Sequence, residues 1–273
     1  MRLAILADIH GNLAAFEAAL DHAQRQQPDQ IIIAGDIVVG SPDSQACLEL
    51  AQRLDCPLLR GNHERYVASF GQPGAPAIWQ SEQFGPMRWA FDQLTEAQRT
   101  AIGKLPQHLR LADCPDLLIV HASLRSDRDT IYAYTPADEV AAMFPDPRAT
   151  MIVRGHNHIP QVRLWQGRQI VTAGSIGLAL DMETTAQYLI LEQIAGAWHI
   201  RHQSVPYDLE ATLRRFREGY LEQAGPIARL YMREVATAAG HLVPFLRTYA
   251  RWSPDATLPL AQALDRFLHE ATA

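Results

Sequence analysis

Five short polar clusters punctuate this chain, each just after an apolar run: Asp8-Ile9-His10, Gly35-Asp36, Gly61-Asn62-His63-Glu64, His121, and Gly155-His156-Asn157-His158. Together they supply two Asp, two Asn, one Glu and five His. Oxygen and imidazole donors in that mixture suit divalent or trivalent ions such as Mn, Fe, Co, Ni or Zn. Two such ions held close together are a device for cleaving phosphoesters. They neutralise phosphoryl oxygens, and a hydroxide shared between them is a nucleophile at neutral pH, because a zinc site lowers the pKa of water from 15.7 to about 7. A histidine that protonates the leaving oxygen adds roughly 10²–10⁴-fold.

Taken singly, these residues say less. An Asp8 or Asp36 after a strand is more often a helix cap or turn former, and a lone His121 is more often a core or surface histidine. His156 and His158 are two apart, which puts both on one face of an extended strand. The order of five clusters, each at a strand end, is what carries metal binding. Arg60, Arg125, Arg128 and Arg154 adjoin the motifs; Arg60 and Arg125 are the candidates for touching a substrate oxygen, and each reads equally as a surface charge or ion-pair partner. Glu64 either orients His63 or is solvated. His22, His108, His199, His202, His241 and His269 lie outside the motifs and read as surface or packing residues.

The elements that must position these side chains follow from hydrophobic periodicity. Residues 3–7 form a continuous apolar run, as in a strand buried on both faces. A helix follows, capped by Asn12, with Leu13, Phe16 and Leu20 on one face. Residues 31–34 repeat the strand, 43–54 read as a helix burying Ala46, Leu50 and Leu54, and 57–59 as a short third strand, a parallel β-α-β-α-β beginning. Residues 71–111 read as an insertion, with a loop at 71–76 and a helix at 94–105, either a plain connection or a cap facing substrate. Strands resume at 117–120, 151–153, 169–172, 188–191 and 198–202, the last two alternating as an antiparallel pair does. From Tyr207 the period is helical: Leu209, Leu213, Phe216 and Tyr220 form one stripe, Ile227, Leu230, Tyr231 and Val235 another after Gly225-Pro226, and Leu260, Leu264, Phe267 and Leu268 a third.

Composition excludes several classes. The chain has 273 residues, 48% of them hydrophobic, enough for a large core. A net charge of −6 argues against a nucleic-acid footprint. Cys47, Cys56 and Cys114 form no CxxC, which argues against a thiolate metal site and favours a reducing cytoplasmic compartment. Asp8 and His10 interrupt the apolar start where a signal peptide would continue, and no uninterrupted apolar run reaches the roughly 18 residues of a membrane span. The expected partner is a small phosphoester or nucleotide; the oligomeric state stays open.

The five clusters resemble the calcineurin-like metallophosphoesterase superfamily over roughly residues 1–205. That resemblance implies that Asp8, His10 and His158 bind one metal, that Asn62, His121 and His156 bind the other, that Asp36 bridges both, and that His63 is the acid rather than a ligand. The run LLRGNHE at 58–64 is similar to eukaryotic Ser/Thr protein phosphatases, but residues 35–41 read GDIVVGS and lack the Asp and Arg of their GDxVDRG motif. The better match is the bacterial and archaeal group labelled diadenosine-tetraphosphatase-like or YfcE-like. Segments 8–13, 36–42, 60–63, 155–160 and 172–177 are the counterparts of its motifs; Thr172-Ala173 stands in place of Asn-Pro, and the GYGP segment is shifted. The expected fold is an α/β four-layer α/β/β/α sandwich over 1–205, with a helical insertion near 71–111 and a helical extension over 206–273. The expected function is two-metal hydrolysis of a phosphoester, foremost a diester. A dinucleoside polyphosphate hydrolase, a phosphomonoesterase, a phosphate sensor and an inactive phosphate-binding scaffold are the rivals; a scaffold usually loses ligands, and this chain keeps all of them.

Overall fold

The computed structural model describes residues 1–255 and 257–270. Nine strands form two mixed sheets. The first holds β1 (Arg2–Leu6), β2 (Gln30–Ile33), β8 (Ala186–Ile194) and β9 (Ala197–Val205) in the order β2-β1-β8-β9. The second holds β3 (His108–Leu111), β4 (Cys114–Val120), β5 (Met151–Arg154), β6 (Gln161–Trp165) and β7 (Arg168–Thr172) in the order β3-β4-β5-β7-β6. The pairs β1/β2, β4/β5 and β5/β7 are parallel, and β8/β9 is an antiparallel hairpin.

Side-chain alternation builds the layers. Leu3, Ile5, Leu189 and Leu191 of the first sheet meet Leu117, Ile119, Met151, Val153 and Val171 of the second in one buried cluster. The intervening residues face outward. Ala4, Leu6, Tyr188 and Ile190 pack under α1 (Leu13–Arg25) and α2 (Ser44–Arg53), while Leu118, Val120, Ile152 and Ile170 pack under α6 (Ala137–Met143). Both faces of the central strands are thus covered, which is why they read as unbroken apolar runs rather than alternating ones. Each fully buried Leu or Ile adds about 1.5–3 kcal/mol. The result is the expected α/β/β/α sandwich.

Several elements differ from the sequence expectation. The buried face of α2 is Ser44, Cys47, Leu48 and Ala51; Ala46, Leu50 and Leu54 lie along its edge, half-buried. Both sets are spaced at helical intervals, and the apolar Cys47-Leu48 pair wins the core. Residues 57–59 form only a single parallel bridge, Ile33 to Leu58, not a strand. The GNHE segment opens α3 (Asn62–Ser69), which the sequence did not suggest. The expected helix at 94–105 is α5 (Glu96–Gly103), capped by the Thr95 hydroxyl, which accepts from the Gln98 amide; a further helix that the sequence did not suggest, α4 (Gly85–Gln93), precedes it.

After Val205 the chain is helical: α7 (Leu209–Arg215), a kinked turn at Glu218-Gly219, the short α8 (Leu221–Gln223), α9 (Ala228–Thr237), α10 (Leu242–Trp252) and α11 (Leu260–Glu270). All three stripes read from the sequence contribute to one apolar cluster, which Trp89 of α4 joins. This region is tied to the sandwich at buried points: Thr212 Oγ1 donates to Asn12 Oδ1 (2.9 Å) and Tyr220 Oη to the Gly40 carbonyl (2.7 Å). Among the described residues no helix is long and apolar enough to cross a membrane.

Candidate metal centre

All five clusters arrive at one edge of the sandwich, beyond the carboxyl ends of the parallel strands, where open α/β sheets form their crevice. The side chains reach the centre because the backbone turns sharply. Asp8 (φ 56°), His10 (φ 51°), Asp36 (φ 53°), His156 (φ 70°) and His158 (φ 60°) all occupy the left-handed region, costing of order 1–3 kcal/mol each. His156 and His158 therefore do not share the face of an extended strand, as their spacing suggests; they lie in the loop after β5 and point to different partners. Glycines supply clearance rather than curvature at the closest approaches. A Cβ on Gly61 would stand 2.2 Å from Asp36 Oδ1, and one on Gly155 would stand 2.7 Å from Asp8 Oδ2.

Three overlapping groups of donor atoms result: Asp8, His10 and His158; His10, Asp36 and His63; and Asp36, His121 and His156. In the first, His158 Nε2 lies 3.4 Å from Asp8 Oδ1 and 3.0 Å from His10 Nε2. In the third, His121 Nε2 lies 3.3 Å from Asp36 Oδ2 and 3.1 Å from Asn62 Oδ1. Asp36 belongs to two groups and lies 3.8 Å from His10 Nε2 and 3.9 Å from His63 Nε2.

Backbone carbonyls fix the rings. His10 Nδ1 donates to Val39 O (2.9 Å), His121 Nδ1 to Ala34 O (2.9 Å) and His158 Nδ1 to Leu178 O (2.7 Å). Each bond turns Nε2 inward as the donor atom, as the outer shell of a metal site does. His63 is different: its Nδ1 is buried without a partner.

The charges fit cations. Burial disfavours charge on His121, but Asp36 outweighs it and raises His121 to about 10. Burial likewise opposes charge on His158, and Asp8 outweighs it. Burial first, and then the neighbouring histidines, push His10 and His156 down to about 3. Both carboxylates are held below their ordinary range despite burial, Asp8 chiefly by His158 and Asp36 chiefly by His121. The two carboxylates thus favour protons on His158 and His121, while burial and like charge favour the neutral forms of His10 and His156. In the first and third groups a carboxylate and two imidazoles converge with no lysine or arginine among them, a donor set that suits a cation.

Two residues outside the expected ligand set hold the loops. Glu64 is neither solvated nor turned to His63. Its carboxylate accepts the backbone N–H of Asp36 (2.8 Å), Ile37 (2.7 Å), Val38 (3.3 Å) and Gly61 (2.8 Å), pinning the second motif to the third. Burial, and then Asp36, push it up to about 7 against those bonds. Its place three residues into α3 was the signal in the sequence, since Glu at that position reaches back to the cap. Ser175 Oγ donates to the Asp8 carbonyl (2.8 Å), and the Ile176 and Gly177 amides donate to Ala7 and Asp8, so segment 172–177 braces the first motif.

The arginines beside the motifs are engaged elsewhere. Arg60 donates to Gly103 O (3.0 Å), and Arg125 pairs with Asp129 (2.8 Å) and Glu139 (3.6 Å). Arg154 is fully buried on the Ala122 and Asp129 carbonyls and Asn157. None of these contacts brings a guanidinium to the centre, and Arg128 stands beside the Tyr66 hydroxyl.

Comparison with known proteins places this geometry. The sequence profile described as calcineurin-like phosphoesterase matches residues 1–160. An uncharacterized protein of Methanocaldococcus jannaschii is 22% identical over 81% of this chain and 94% of its own length. Among solved structures, a metallophosphoesterase of Sphaerobacter thermophilus is similar with a TM-score of 0.68 at 25% identity, over 88% of this chain and 99% of that one. A hypothetical protein of Pyrococcus horikoshii reaches a TM-score of 0.72 at 19% identity with the same coverage, 88% and 99%. Those shares exceed what residues 1–205 alone would supply, so part of the helical region is common to them.

Proposed function

The chain belongs to the calcineurin-like phosphoesterases, and from that premise we propose that it is a two-metal phosphodiesterase with Asp36 between the ions and His63 as the general acid. The observation that carries this reading is the overlap of three donor groups, Asp8, His10 and His158, then His10, Asp36 and His63, then Asp36, His121 and His156, with Asp36 and His10 linking the outer two through the middle one. Asp8, His10 and His158 would hold one ion, and Asn62, His121 and His156 the other. When bound, the ions supply Lewis acidity toward phosphoryl oxygens and water.

The chain's own residues do the rest. Asp36 keeps its place through the amide of His63, which donates to its Oδ1 at 2.9 Å, and through Glu64, which holds its own amide. His63 is 17% exposed at its side chain, the rim position from which a ring can give a proton to a leaving oxygen. Burial holds its pKa below the ordinary histidine value, with Asp36 opposing in part. Preference for a diester rests on charge: a diester carries one negative charge less than a monoester dianion, and Arg60 and Arg125 are already engaged.

Metal analysis and turnover test this together. Two ions per chain are expected by elemental analysis and anomalous scattering; a single site that omits Asp36 at full loading would overturn the two-metal reading. Under Mn, bis-aryl phosphodiesters should be cleaved with a kcat/KM at least equal to that of aryl monoesters. A monoester preference of about tenfold, 1.4 kcal/mol in the barrier, would overturn the diester reading.

A further inference from the structure

A cavity of about 260 Å³ opens beside the metal centre. Asn62 and His63 form one wall, Phe84 and Met87 of the insertion another, and Ile227 and Tyr231 of the helical region a third, with Leu246 at the edge. The two outer walls are locked together. A Cβ on Gly85 would stand 1.9 Å from the Ala224 carbonyl, and Trp89 meets Tyr220 edge-on at 5.3 Å. An aromatic series leads outward from the acid histidine: His63 to Tyr66 (5.6 Å), Tyr66 to Trp79 (5.4 Å), Trp79 to Phe84 (6.2 Å).

Two observations give this cavity an occupant. Its lining contains no lysine, arginine, aspartate or glutamate, so it does not suit a second phosphate. Tyr231, 7% exposed, lines the cavity, and its hydroxyl makes no hydrogen bond among the described residues. A tyrosine whose ring is buried usually finds its hydroxyl a partner; burial first, and then the charges of Glu234 and Asp36, raise the pKa of this one.

We propose that this cavity binds the apolar organic group of the substrate, a single aromatic ring with a polar substituent that meets Tyr231, and so makes the enzyme selective for aryl-type phosphoesters over alkyl or polyphosphate ones. The proposal rests on the phosphoesterase reading and names its substrate class. Size agrees: an apolar cavity of roughly 150 Å³ holds benzene, so 260 Å³ takes one substituted ring and not two nucleosides. Position agrees as well. The group attached to the leaving oxygen would lie against His63, which protonates that oxygen.

The test is a binding measurement kept apart from turnover. Phenylphosphonate and methylphosphonate are titrated calorimetrically into Mn-loaded protein. The phenyl compound should bind at least about tenfold tighter, the gain expected for burying a ring. Leu246→Trp fills the cavity from its edge and should reduce that ratio below about threefold with metal content unchanged, on the same area argument. Equal affinities in the unaltered protein, or a ratio that survives in folded Leu246→Trp, would overturn the proposal. The unaltered protein alone decides the first point, whatever the variant's folding. If the phenyl preference appears but no ester is turned over, the phosphoesterase reading fails and the cavity assignment stands. If bis-aryl esters are cleaved but the two phosphonates bind alike, the reverse holds.

Discussion

At the strand ends, Asp8, His10, Asp36, His156 and His158 sit on left-handed backbone, and Glu64 alone holds four backbone amides. A few residues away, the cavity between the insertion and the helical region is apolar, and Tyr231 has a hydroxyl without a partner. The first region stores strain and offsets it with many hydrogen bonds, all directed at fixing donor atoms. The second stores none of that and is fixed by close contact between distant segments. The difference separates two tasks. Changes at the strand ends should act on the reaction as a whole, and changes at the cavity should act on which molecule is chosen.

The largest effect belongs to Asp36, the carboxylate shared by two donor groups. Asp36→Asn keeps shape and removes charge. Turnover should fall by at least about 10³-fold, the upper end for losing one preorganised electrostatic group. Metal content should fall with it, because the carboxylate supplies a donor atom to two of the groups. Full loading with near-normal activity would place the centre elsewhere.

His63→Ala separates acid from ligand within the same region. Metal content should stay near normal while turnover drops by about 10²-fold, partly restored with nitrophenolate leaving groups that need little protonation. Loss of both ions in this variant would make His63 a ligand, as its membership in the group with His10 and Asp36 permits.

The protons at the centre give a pH dependence with a definite sign. His121 is raised to about 10 and His158 is raised as well. In the metal-free chain their charged forms therefore stabilise folding, fully below the ordinary histidine pKa of about 6.5 and decreasingly as pH rises through the folded values. Metal ions must displace both protons. Affinity should accordingly rise with pH, roughly tenfold per unit for each proton released. Chelator competition with Mn near pH 7 and pH 8 measures this, and an affinity indifferent to pH would remove the proton-for-metal exchange.

The same contrast explains what could be read from the sequence. Every motif residue from Asp8 to His158 is adjacent to an apolar run whose burial fixes its base, so local order in the chain was enough to gather the centre. The left-handed turns were not readable, because they occur at Asp and His rather than at glycine. The grip of Glu64 was half visible, as a glutamate in the first turn after GNH. The cavity was invisible. Phe84 meets Tyr231 and Leu246 only through tertiary contact across more than a hundred residues, and no local pattern joins them. The tail's apolar stripes predicted packing, and packing is what they do. The one exception is Tyr231, which serves the stripe with its ring and the cavity with its hydroxyl.

The smallest effect tests the joint that holds the cavity together. Gly85 begins α4 with ordinary helical backbone (φ −53°), so alanine there would gain about 0.5–1 kcal/mol in helix propensity. Its Cβ, however, would stand 1.9 Å from the Ala224 carbonyl. That contact is with backbone, which cannot rotate away, and such overpacking costs about 1–3 kcal/mol. The clash wins, and the insertion should shift away from the helical region. Gly85→Ala should therefore lower stability by about 1–2 kcal/mol, the difference between those terms, and raise KM for aryl esters while leaving metal content and the pH dependence of metal affinity unchanged. Thermal unfolding and a KM-against-kcat comparison on bis-aryl phosphodiesters measure both. A variant that instead lost metal would show that the two regions are one mechanical unit, and the separation of tasks drawn above would not hold.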